Sequence, residues 1–291
     1  MSEIKVTMKH NHLYKSKMKS IFTGCIAIIS IGLLSNCSSD DTQTVTTFDT
    51  LIIEDNFDID GAPDPNLWGF DIGDGSDQGL DRWGNNELQY YTDRTENVKV
   101  ENGFLLITAR QEDFQGSNYT SARLVTKGKF DQKYGRFEAR MRLPYGRGMW
   151  PAFWMLGDDN DGVDVWPQIG EIDIMENRGQ EPTIITGSVH GPGYSAGNAV
   201  SKSFILDGAR FDTDFHVFGI EWGPNYINYY VDNKLYNQIT PADVDGEWVF
   251  NDRPFYMLLN LAIGGSYVGN PNDETNFPQT MLVDYVRVYQ K

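Results

Sequence analysis

The sequence predicts an all-β sandwich or barrel. Short segments in which apolar and polar residues alternate recur along almost the whole chain. Between them lie clusters of Gly, Pro, Asn and Asp, the residues that turns favour. No amphipathic stretch longer than two helical turns interrupts the pattern. About 240 residues is an acceptable size for one such domain.

The elements follow in order. Residues 1–17 are polar and basic, and Lys15, Lys17 and Lys19 precede an apolar run over 21–34. That run has the length of a signal-peptide core and falls short of a membrane span. It ends in Leu34-Ser35-Asn36-Cys37, which resembles a bacterial lipoprotein cleavage box with Cys37 as the lipidated residue. Asn36 stands where such a box usually has Gly or Ala. Ser38, Ser39, Asp40 and Asp41 follow, as in surface-exported lipoproteins. The expectation is a signal peptide over 1–36, with Met18 a more typical start than Met1, and a flexible tether over 37–50. One domain fills 51–291 and belongs to an outer-membrane lipoprotein exposed at the cell surface and monomeric. Strands are expected over 104–109, 135–143, 184–190, 215–222, 226–231, 255–261 and 281–289, all rich in Val, Ile, Phe, Tyr and Thr.

Charge and residue counts exclude several functions. The chain has 24 Lys+Arg against 41 Asp+Glu, a net charge of -17. Removing the five lysines and one glutamate of residues 1–36 leaves 19 basic and 40 acidic residues, net -21. Such a surface repels a phosphate backbone, so no nucleic acid partner is expected. Cys37 is then the sole cysteine and the lipid consumes it, which excludes a disulfide within the monomer. His190 and His216 are the only histidines left, too few for a multi-His metal centre.

The chemistry centres on Gly170-Glu171-Ile172-Asp173-Ile174-Met175-Glu176-Asn177. On a strand, Glu171 and Asp173 share a face and Ile172 and Ile174 point into the core. Strict alternation would place Glu176 with the isoleucines, at a cost of several kcal/mol for an unpaired charge. One extra residue at Ile174-Met175, a β-bulge, buries Met175 and returns Glu176 to the face of Glu171. Three carboxylates in a row repel one another, so they imply either a cation or proton chemistry. The outer Glu backbones sit roughly 13 Å apart at strand rise. Both side chains are long enough to lean inward to the ~5–5.5 Å of a retaining glycosidase. One Glu would then be ionised and the other protonated, and their repulsion helps separate the two states. Asp173, shorter and between them, is placed to share a proton with the nucleophile.

Trp150, Ala152 and Trp154 alternate onto one face of the segment upstream, and Trp166 lies just before the acidic strand. One buried Trp is ordinary core. Several beside a carboxylate row suit the C–H faces of pyranose rings.

These segments resemble glycoside hydrolase family 16, in its laminarinase (endo-β-1,3-glucanase) branch. The signature Glu-x-Asp-x-x-Glu carries the extra bulge residue; the lichenase branch has the shorter Glu-x-Asp-x-Glu. Residues 83–92, 121–124, 189–194 and 283–289 are similar to further family segments in the family's order. The resemblance implies a β-jelly-roll of two curved antiparallel sheets with the substrate cleft on the concave face. It implies Glu171 as nucleophile, Glu176 as general acid/base and Asp173 as the supporting carboxylate. It implies Asn86 and Arg123 as ligands of sugar hydroxyls, Trp150, Trp154 and Trp166 as cleft aromatics, and His190 as a cleft histidine. His216 has no such support and is expected to be structural. Catalysis is expected to need no cofactor.

The resemblance also implies a structural calcium away from catalysis, held by backbone oxygens of Asn56 and Gly103 and by Asp284. In one place the chain departs from the pattern: Ser266-Tyr267 stands where many laminarinases have Asn-Trp, at a cleft-edge segment. The implied activity is retaining hydrolysis of β-1,3-glucosidic bonds in laminarin-like β-glucan. Alternatives of the same fold are a mixed-linkage β-1,3-1,4-glucanase and a galactanase. The alternative of another class is a non-catalytic glycan-binding lipoprotein.

Overall fold

The computed structural model describes residues 48–159, 162 and 165–291. The expected signal peptide, Met18 and Cys37 lie outside the described residues. The strands run in chain order as β1 (Thr50–Asp55), β2 (Gly69–Phe70), β3 (Gln89–Tyr91), β4 (Val98–Glu101), β5 (Phe104–Phe114) and β6 (Ser117–Ser121). Next come β7 (Arg123–Val125), β8 (Gly135–Arg142), β9 (Met149–Gly157), β10 (Glu171–Asn177), β11 (Ile184–His190) and β12 (Val200–Ile205). The last are β13 (His216–Gly223), β14 (Tyr226–Val231), β15 (Lys234–Ile239), β16 (Phe255–Ile263) and β17 (Gln279–Gln290). Helix among the described residues is confined to short 3₁₀ turns such as Asp81–Gly84. The all-β expectation holds, and β11 and β14 match their expected bounds to the residue.

The strands form two sheets. One has ten strands, built around β15-β14-β13-β8-β17-β5-β6-β3, with β1 added on β17 and β4 on β5. The other has seven, in the order β12-β11-β10-β9-β16-β7-β2. Their facing sides share one core. Phe137, Ala139 and Met141 of β8 and Ile107 of β5 are fully buried in it together with Phe153 and Met155 of β9, Ile172 of β10 and Leu259 of β16. These positions come from every second residue of each strand, so the alternation in the sequence is the cause of the layering. A smaller cluster, Val125, Tyr256 and Leu258 with Trp154 and Leu156 packed on it, lies on the opposite side of the seven-stranded sheet. That outer side is where the acidic row emerges.

The sheets differ from the expected antiparallel pattern in one pairing. β3 and β6 run parallel, Gln89 to Tyr119 through Tyr91 to Ser121. The chain between them passes through β4 and β5, a connection long enough to bring a parallel strand back alongside. Strand β1 starts at Thr50, opposite Gln290, one residue inside the expected tether.

Candidate active site

Strand β10 carries the acidic row, and its pairing shows how the bulge works. Against β9 the register is Asp173 to Trp154 and then Met175 to Phe153, a slip between Asp173 and Met175. Against β11 the slip falls between Asp173 and Glu176. Ile172, Ile174 and Met175 are all buried at 1% exposure or less. Glu171 and Glu176 are only partly buried and emerge on the same side. The expected face of three carboxylates is present. The register then runs in one line across the sheet, from Thr186 to Glu176, to Ala152, to Asn260 and to Arg123. Residues from five strands therefore share the outer face, with the small side chain of Ala152 leaving room beside Glu176.

All three tryptophans donate their indole N–H to groups of this face. Trp150 Nε1 donates to Glu176 Oε1 at 2.9 Å. Trp166 Nε1 donates to Glu171 Oε2 at 2.6 Å. Trp154 Nε1 donates to Asn260 Oδ1 at 2.7 Å. Trp166 remains 43% exposed, so its indole covers Glu171 from the solvent side. Arg123 lies between two rings, its guanidinium carbon 4.6 Å from the Trp83 centroid and 4.8 Å from that of Trp154. It is ion-paired to Asp71 Oδ2 at 2.9 Å. Asn86 sits at the rim in a left-handed conformation (φ 60°) that Asn tolerates. Its Nδ2 donates to Ser266 Oγ at 3.0 Å, which ties the rim to the segment that departs from the family pattern.

The carboxylates are held differently. Burial raises Glu176 to about 7, and the charge of Glu171 adds to this; the Trp150 N–H and Arg178 oppose it. Glu176 therefore holds its proton up to near neutral pH. Asp173, 3% exposed, is pushed well above the usual carboxylate range, first by burial and then by Glu171 and Glu176. Its Oδ2 lies 3.0 Å from His190 Nε2. Burial pulls the His190 imidazolium down, while Asp173 and then the two glutamates would raise it to about 9. Two observations speak for a neutral ring instead. The Ala196 N–H donates to His190 Nδ1 at 3.0 Å, and this requires a lone pair on Nδ1. An Asp173 that keeps its own proton also withdraws the main charge that would hold the imidazolium. His190 is then the Nε2–H tautomer and donates to Asp173. The polar atoms of Glu171, Asp173 and His190 lie within 4.8 Å of one another.

Several side chains of the site were not found in the sequence. Asn260 holds Trp154, and its polar amide in an otherwise apolar strand was the available signal. Behind it, Asn260 Nδ2 donates to Tyr91 Oη at 3.0 Å, and Tyr91 donates to Glu87 Oε2 at 3.3 Å. Gln89 Nε2 donates to the same oxygen at 2.6 Å. Glu87, Gln89 and Tyr91 alternate, and that spacing was legible. Arg178 flanks Glu176 and had no motif of its own, while Tyr267 beside it had shown only as a departure from the family pattern. His216, on the other sheet, is paired through Nδ1 to Asp232 Oδ2 at 2.7 Å, a structural role as expected.

The three expected calcium ligands fall at one place. Asp55 pairs with Val286, so Asn56 follows toward Asp284. Leu105 pairs with Val283, so Gly103 approaches from the other side. The Asp284 carboxylate already accepts from Arg140 Nη1 at 2.6 Å.

Known proteins resemble this chain in sequence and fold. Residues 85–287 match the family described as Glycosyl hydrolases family 16. A beta-glucanase of Rhodothermus marinus is 46% identical over 251 residues, covering 82% of this chain and 85% of that protein. The laminarinase catalytic domain of Thermotoga maritima superposes with a TM-score of 0.78 at 47% identity, over 83% of this chain and 98% of that one. The endo-beta-1,3-glucanase of Pyrococcus furiosus does so with a TM-score of 0.78 at 47% identity, over 82% and 94%.

Proposed function

Because the chain belongs to glycosyl hydrolases family 16, we infer that Glu171 and Glu176 cleave a β-glucan by double displacement. The enzyme is an endo-β-1,3-glucanase acting on laminarin-like β-glucan, and its chemistry runs on protein carboxylates with no cofactor. The supporting observation is the unequal pair on one face of β10. Glu176 is partly buried and raised to about 7, so it holds its proton up to near neutral pH, and Glu171 is held by an indole N–H at the cleft surface.

In the first step a Glu171 oxygen attacks the anomeric carbon and the C–O bond to the departing sugar breaks. Glu176 gives its proton to that oxygen. The glycosyl ester on Glu171 then reacts with water. Glu176, now ionised, takes the water proton, and Glu171 leaves as carboxylate. Two inversions return the original anomeric configuration. Trp150 N–H stabilises ionised Glu176 between the steps, and Trp166 N–H positions Glu171. Arg123, Trp154 and Asn86 lie across the sheet from Glu176, and in this reading they bind the sugars on one side of the scissile bond. Incubation of the purified enzyme with laminarin, lichenan, agarose and carrageenan, with sizing of the products, tests the assignment. Laminarin is expected to yield a ladder of short oligosaccharides early in the reaction. A digest of agarose or carrageenan with laminarin intact would overturn it.

A structural calcium is a second part of the proposal. The carbonyl oxygens of Asn56 and Gly103 and the Asp284 carboxylate would hold it, a donor set that suits a hard cation. Arg140 would have to share or yield Asp284. EDTA is expected to lower the melting temperature and added Ca²⁺ to restore it, with activity at low temperature unchanged. An unchanged melt would count against the site.

A further inference from the structure

Tyr267 rises from the connection between β16 and β17 and lies partly buried against the cleft. Its ring centroid is 5.1 Å from that of Trp150, at an interplanar angle of 44°. The Arg178 guanidinium carbon lies 4.3 Å from the same Tyr267 centroid. Tyr267 lines one small cavity together with Glu176, Arg178 and Thr186, and Thr186 is the register partner of Glu176 on β11. Each of these contacts leads to Glu176. Trp150 Nε1 donates to its Oε1 at 2.9 Å. Arg178 follows it by two residues.

We propose that Tyr267 is a positioning residue for the general acid/base, its ring clamping Trp150 and Arg178 beside Glu176 so that Glu176 can release and regain its proton in turn. The proposal rests on the reading of Glu176 as acid/base. Arg178 needs such a clamp. Its side chain is 39% exposed, and its ion pair with Glu181 is long, at 3.7 Å. A free arginine would turn toward Glu181 or into water. A guanidinium held over an aromatic face stays put.

The groups around Glu176 divide by sign. On its own strand Glu171 and Asp173 face it, and Glu171 disfavours its ionised form. Trp150 from β9 and Arg178 from just beyond β10 favour ionisation, and His190, which faces it from β11 as a neutral ring, brings no charge. Glu181 lies behind Arg178. Tyr267 touches both groups that make Glu176 more acidic. Without its ring both contacts loosen, and Glu176 holds its proton to higher pH.

The test is the pH dependence of kcat/KM on laminarin for the wild type, Tyr267→Ala and Tyr267→Phe. Laminarin carries no titratable group, so the limbs belong to the free enzyme. The wild type is expected to lose activity as pH rises through about 7, and the absence of that limb would sink the reading of Glu176 itself. In Tyr267→Ala the limb is expected to move up by about half a unit, with a lower kcat at pH 6. In Tyr267→Phe the ring remains and the limb is expected to stay. An unmoved limb in Tyr267→Ala, with only KM raised, would overturn the proposal and leave Tyr267 a sugar platform. A Phe variant that shifts as far as the Ala variant would overturn the role of the ring.

Discussion

Glu171→Gln and Glu176→Gln are each expected to abolish laminarin hydrolysis while the protein stays folded and still binds glucan. Glutamine matches glutamate in volume, and its amide oxygen can accept the same indole N–H from Trp166 or Trp150. Glu171→Gln removes the charge of the row, and Glu176→Gln replaces a group already largely protonated, so stability is not expected to fall. The two variants differ in how they fail. Glu176→Gln lacks only proton transfer, worth about 10²–10⁴-fold. An aryl β-glucoside whose leaving group needs no proton should therefore still form the glycosyl ester on Glu171. Azide, which needs no base, should then release it as a β-glycosyl azide. Glu171→Gln cannot form the ester, so activated substrates do not rescue its hydrolysis. Wild-type turnover in either variant would remove that residue from the mechanism. Azide rescue of Glu171→Gln to the β-product would exchange the two roles.

The acidic strand was the most legible part of the sequence because its constraint is local. Two isoleucines and a methionine had to face the core, three acids had to face away from it, and only an extra residue satisfies both. The register slip at Asp173 is that residue at work. Trp150, Trp154 and Trp166 were legible for the same reason, as large aromatics at alternate positions or beside the row. Strand β5 was read too short. Its outer half, Arg110-Gln111-Glu112-Asp113, is polar on both faces and resembles a loop. It is a strand because β6 turns back onto it, with Arg110 opposite Thr120. That pairing belongs to the topology and leaves no trace in local alternation. The relay behind Trp154 depends on contacts between residues far apart in the chain, such as Asn260 and Tyr91 across 169 positions. Tyr267 was visible only as a departure from a family pattern. Its partners Trp150, on β9, and Arg178, just past β10, lie far from it in the chain, so its place beside Glu176 had to come from the fold. His190 was found by position within a matching segment, but its protonation was not. The tautomer follows from one backbone N–H, that of Ala196, and main-chain donors have no sequence signature.

Asp173→Asn is expected to lower kcat about a hundredfold with little change in KM, at the low end of what a positioned proton group contributes. The reason lies in the charge of the row during the cycle. Before reaction Glu171 is ionised and Asp173 is neutral, because burial and the neighbouring glutamates both oppose a second charge. His190 Nε2–H occupies Asp173 Oδ2, so the Asp173 proton resides on the other oxygen. When Glu171 becomes an ester its charge disappears, and Glu176, having given its proton to the leaving oxygen, carries it instead. The row keeps one negative charge, and Asp173 stays neutral between the two glutamates. In the second step Glu171 regains its charge as it leaves, and the Asp173 proton is placed to be shared with it, which lowers the cost of an ion forming in a low dielectric. Asparagine preserves the size, the neutral ground state and an acceptor for His190, so substrate binding should survive. Its amide has no acidic proton to share, so the charge developing on Glu171 is less well stabilised. If Asp173 only filled space or held His190 in place, Asparagine would serve as well, and a wild-type kcat in this variant would show that. A loss confined to KM would instead move Asp173 into sugar binding.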